Sequence, residues 1–197
     1  MLHRLPSSAL LIASRHATAS GGVCRAPVCP RARQWLTAPG SLTARLRQHG
    51  KVEVRVMRQG HQRLWRQEQG AIGNRFGHVR EVVLTLNSHP AVWARSVTSP
   101  RGLKGPWRAL KGLGARPLAE LLFEHRGVAR DPLWGQRLAL HSPEHAHLLR
   151  SWRSACTAPA PAWVRRSVFW HKGQALQVME SFAPWVLALP VAHRPAD

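Results

Sequence analysis

The chain holds 197 residues, 44% of them hydrophobic, which suits one domain with a sizeable core and excludes wholesale disorder. No stretch approaches the roughly 18 consecutive apolar residues that a spanning helix needs, so no membrane span is expected. Its 29 basic residues, 25 of them arginine, against 9 acidic ones give a formal charge of +20, which leaves two natural partners: a polyanion drawn by the whole field, or a small anion held by a few particular arginines.

Residues 1–34 carry Arg4, Arg15, Arg25, Arg31 and Arg33 without any acidic residue. They read as a basic N-terminal extension, superficially like a transit peptide, that is expected to be disordered and to stay out of the core. The domain is expected over 35–190, with a tail at 191–197. Ser41 before Leu42, Leu46 and a closing Gly50 predicts a short capped helix. Val52, Val54 and Val56 then alternate with Glu53, Arg55 and Met57, the period of a half-buried strand. Val79 to Leu86 and Ala91 to Val97 flank Asn87-Ser88-His89-Pro90 and predict a hairpin. Pro117, followed by Leu118, Leu121 and Leu122, starts a helix that runs to about Arg126. Residues 127–162, with four prolines, are expected to be irregular apart from one short helix around His145 to Trp152. Val164 to Trp170 and Ala175 to Phe182 form a second hairpin about His171-Lys172-Gly173. The fold class is therefore α+β, an antiparallel sheet with flanking helices.

Three cysteines, Cys24, Cys29 and Cys156, cannot all pair internally, which fits a reducing compartment. Among the histidines, His145 and His147 lie two apart and do not share a helical face, and no CxxC pair exists, so no metal site is expected.

Residues two apart on a strand share a face. By this rule Arg80 falls with Val82, Leu84 and Leu86, Glu180 with Leu176, Val178 and Phe182, and Arg95 with Trp93 and Val97. A charge on an apolar face is costly unless paired or liganded. Arg80 and Glu180 either pair with one another, sit at strand ends and reach solvent, or frame a buried pocket for a small, partly apolar anion.

The stretches LTAPGSLTARLRQHG from Leu36, VRVMRQG from Val54, HVREVVL from His78, ARSV from Ala94, LGARPLAELLF from Leu113, VRRSVFWHKGQAL from Val164 and MESFAP from Met179 occur in an order that resembles the chorismate lyase family. Met179 and Phe182 depart from the family's usual residues around the glutamate. The resemblance implies an antiparallel sheet with a buried site under helical flaps, and conversion of chorismate to 4-hydroxybenzoate and pyruvate at the start of ubiquinone biosynthesis, by a cytoplasmic, monomeric enzyme without a cofactor. Carried over by position, it implies ligand contacts at Leu42, Arg80, Leu118 and Glu180, with Arg80 and Glu180 catalytic. Arg95, the inward charge of the neighbouring strand, is a weaker candidate for helping the substrate enter or holding its second carboxylate. Two other functions compete: a noncatalytic small-anion sensor of the same fold, and a basic nucleic-acid binder. The first lacks room for a DNA-binding module in 34 residues, and the second lacks a zinc finger, a basic helix or an RNP-like strand.

Overall fold

A computed structural model describes residues 29–124 and 127–191. The elements run α1 (Pro30–Thr37), α2 (Leu42–Arg47), β1 (Val52–Arg63), α3 (Arg66–Ile72), β2 (Phe76–Leu86), β3 (His89–Thr98), α4 (Pro100–Lys104), a 3-10 turn (Arg108–Gly112), α5 (Leu118–Glu124), β4 (Ala129–Arg130), β5 (Trp134–Arg137), α6 (Pro143–Ala155), β6 (Trp163–His171), β7 (Gln174–Phe182) and α7 (Pro184–Ala188). The strands form one antiparallel sheet in the order β1-β2-β3-β7-β6-β4, with β5 also on β6. The α+β architecture expected from the strand periods is the one observed.

Both predicted hairpins form, and each closes on two residues in the left-handed region: Asn87 (φ 48°) and Ser88 (φ 66°), Lys172 (φ 47°) and Gly173 (φ 70°). Such turns match the twist of the strands they join. The first is tighter than expected, because His89 and Pro90 already belong to β3. Ser41 caps α2, its hydroxyl accepting from the Ala44 amide at 3.1 Å. The segment expected to be irregular contains β4, β5 and a thirteen-residue α6 capped by Ser142.

The expected boundary at residue 34 falls inside a helix. Pro30 opens α1 at a position where its missing N–H is harmless, and Ala32, Trp35 and Leu36 join the core. Trp35 is fully buried, donates from Nε1 to the Leu189 carbonyl at 3.0 Å, and lies against His49 and Phe182. Residues 30–34 are thus part of the packed domain. The rest of the expected extension, 1–28, and the end of the tail, 192–197, lie outside the described residues. Among the described residues, no helix is long and apolar enough to cross a membrane.

Candidate active site

Because β2, β3, β7 and β6 are neighbours, their inward residues line up in rows. Arg80, Ser96, Val178 and Ser167 form one row across the four strands, and Val82, Ala94, Glu180 and Arg165 form the next. Small side chains on β3 leave the middle of this floor low. Leu42 and Thr43 of α2 roof one side, and Pro117, Leu118, Leu122 and Phe123 roof the other, enclosing a chamber of about 590 Å³ of unfilled space including its mouth.

Arg80 is almost fully buried, and burial lowers its pKa. Its Nη2 donates to the carbonyls of Gly114 (2.8 Å) and Arg116 (3.1 Å), while its Nε is buried without a partner. Nη2 therefore anchors the turn into α5, while Nε is engaged by no protein group. Glu180 does not pair with Arg80. Its Oε2 accepts from Nε of Arg165 at 2.5 Å, and Arg165 also donates from Nη1 to the carbonyls of Trp35 (3.4 Å) and Ala38 (3.1 Å).

Arg130 completes the wall. Its backbone pairs with Phe169, so its side chain shares the chamber face, and its guanidinium carbon lies 4.9 Å from the Phe169 ring centroid. Nη2 donates to Ser167 Oγ at 3.2 Å and Nη1 to the Gly40 carbonyl at 3.3 Å. Burial first, and then the like charge of Arg165, lower its pKa to about 10. Gly40 (φ 77°) and Gly114 (φ 54°) both hold left-handed turns that favour glycine. Each thus presents to an inward arginine the carbonyl of the loop that leads into a roof helix.

Arg95 lies on the opposite side of the sheet. It sits in β3 between Ala94 and Ser96, so alternation turns its side chain away from the chamber floor. Nε donates to Glu68 at 2.6 Å and Nη1 to Glu81 at 2.5 Å, with the Trp65 ring centroid 3.9 Å from its guanidinium carbon. His147 Nε2 lies 2.8 Å from the same Glu81 oxygen. Burial opposes ionisation of Glu81, but His147 and Arg95 outweigh it and hold its pKa below the ordinary carboxylate value. Arg95, expected as a weaker candidate for a substrate carboxylate, has its charge matched by two buried glutamates.

The structure therefore brings Leu42, Arg80, Leu118 and Glu180 together around one cavity; Arg95 also borders it, but its guanidinium is engaged by Glu68 and Glu81. Sequence reasoning missed Arg165 and Arg130. Arg165 was within reach, since a hairpin closing on Lys172-Gly173 puts it opposite Glu180 by register alone. Arg130 was not, because a two-residue strand has no period to read.

Three inward arginine side chains and one glutamate lie on an antiparallel floor under two short helices, a surplus of two positive charges in an α+β domain. The chorismate lyase family pattern matches residues 25–188, and the chain belongs to that family of enzymes. Relatives include the "Probable chorismate pyruvate-lyase" of Albidiferax ferrireducens, 42% identical over 78% of this chain and 83% of the relative. A protein of the same name from Azoarcus sp. is 41% identical over 81% of this chain and 87% of its own length. The fold is shared with PhnF from Mycobacterium smegmatis, with a TM-score of 0.55 and 13% identity over 81% of this chain and 70% of that one.

Proposed function

We propose that this protein eliminates pyruvate from chorismate to give 4-hydroxybenzoate, the opening step of ubiquinone biosynthesis. The observation that carries the reading is the charge of the chamber: three arginines against one glutamate suit a substrate with two carboxylates. Chorismate bears one carboxylate on its ring and a second on its enolpyruvyl ether. Breaking the ring C–O bond releases the enol, which becomes pyruvate. The electrons of the neighbouring ring C–H bond complete the aromatic system as that proton leaves. The reaction is redox neutral, and its driving force is aromatisation, so the protein's task is to hold the dianion in a reactive pose and steady the charge on the departing oxygen.

Arg80 grips the ring carboxylate with the Nε edge that no protein group uses. Glu180 addresses the hydroxyl end of the ring and accepts the departing proton, positioned by its contact with Arg165. Leu42 and Leu118 roof the ring and exclude water. Among the described residues Cys29 and Cys156 are free thiols, which fits the reading of a cytoplasmic enzyme.

The test is incubation of purified protein with chorismate, following 4-hydroxybenzoate and pyruvate. Equal amounts of both products are expected. Binding of 4-hydroxybenzoate with no turnover would favour a sensor, and duplex binding at physiological salt without turnover would favour a nucleic-acid role.

A further inference from the structure

The three chamber arginines are not equivalent. Arg165 has an internal carboxylate at 2.5 Å and two chain carbonyls. Arg80 and Arg130 form no ion pair among the described residues, and each keeps a buried Nε without a partner. They also stand at opposite ends of the floor. Arg80 rises from β2, whereas Arg130 projects from β4 beyond Phe169 and reaches back to Ser167 on β6. β2 and β4 are separated by β3, β7 and β6, which places their backbones about 19 Å apart at the usual strand spacing. Two long arginines reaching inward from such a span leave room for a molecule with a carboxylate at either end.

We propose that Arg130 binds the enolpyruvyl carboxylate, the group that the substrate carries and the product lacks, and so sets the preference of the chamber for substrate over product. This inference rests on the chorismate lyase reading of the chamber. Arg130 has the right surroundings for the task. Its two protein contacts, at 3.2 and 3.3 Å, are long and go to neutral oxygens, and a carboxylate is the stronger acceptor for a buried guanidinium. The Gly40 contact adds a consequence: a carboxylate held by Arg130 lies beside the loop that leads into α2, so substrate with two carboxylates closes that roof more firmly than product with one. Loss of pyruvate removes this anchor while leaving the ring carboxylate on Arg80.

The experiment compares Arg130→Gln and Arg130→Lys with the unsubstituted protein in three measurements. These are steady-state kinetics with chorismate, calorimetric binding of 4-hydroxybenzoate, and calorimetric binding of 3-(carboxymethoxy)benzoate, a stable aromatic with a second carboxylate on an ether arm. Arg130→Gln should raise KM for chorismate and Kd for the dicarboxylate roughly 10- to 100-fold, the effect of one charge-assisted contact. Kd for 4-hydroxybenzoate should stay within about twofold. Arg130→Lys should recover part of the loss and guards against a folding defect in the first variant. Equal weakening of both ligands, or no weakening of the dicarboxylate, overturns the assignment. Absence of chorismate turnover in the unsubstituted protein overturns the lyase reading instead, and the two calorimetric titrations still decide whether Arg130 selects a second carboxylate.

Discussion

Arg80→Lys separates the two halves of the Arg80 guanidinium. In the folded protein Nη2 holds the carbonyls of Gly114 and Arg116 at 2.8 and 3.1 Å, and Nε has no protein partner. A lysine keeps the charge but concentrates its donors on one nitrogen, so it cannot hold the α5 turn and a ring carboxylate in the same planar geometry. Losing one charge-assisted contact to the ligand weakens 4-hydroxybenzoate by about 1.5–3 kcal/mol, roughly 10- to 150-fold in Kd. Losing one contact to a turn carbonyl costs about 1 kcal/mol of stability, a fall in Tm of roughly 2–4 °C for a domain of this size. Calorimetric titration reads the first effect and thermal melting the second. A folded variant that binds 4-hydroxybenzoate as the parent does would remove Arg80 from the site. A Tm loss far above this range would instead show that its main task is to hold the turn.

Glu180→Gln keeps the size of the side chain but removes its charge and its capacity to take a proton. It should lower kcat roughly 10- to 1000-fold while product still binds, and a variant with parental kcat would deny the carboxylate a role in the transition state. Trp35→Ala removes a fully buried ring and its hydrogen bond to Leu189. It should cost about 3–5 kcal/mol in chemical denaturation, and a loss under about 1 kcal/mol would show that α1 is not part of the cooperative unit. Glu81 has a lowered pKa in the folded state, so its contribution is complete above the ordinary carboxylate value of 4.5 and is lost as pH falls through and below it. Tm should therefore drop on acidification in that range, and Glu81→Gln should flatten part of the slope. An unchanged slope would show that other carboxylates govern the acid transition.

Strand period and turn chemistry are local properties, and they were legible in the chain. Alternation alone placed Arg80 with Val82 and Leu84, and Glu180 with Val178, on one face each, and both residues line the chamber. The same arithmetic placed Arg95 correctly with Trp93 and Val97, yet assigned it to the wrong side of the molecule. Period two says which residues share a face, but it does not say which face is covered by what. Here both faces are buried, one beneath the α2 and α5 roof and the other beneath Trp65 and α6, where Glu68, Glu81 and His147 stand ready. Opposing charges from distant segments decide that Arg95 is structural, and their approach depends on the assembled sheet. Arg130 is the extreme case, for it lies in a two-residue strand with neither periodicity nor a turn signal. Its position in the wall follows from one backbone pairing with Phe169, thirty-nine residues further along the chain, and only the folded sheet brings those two residues together.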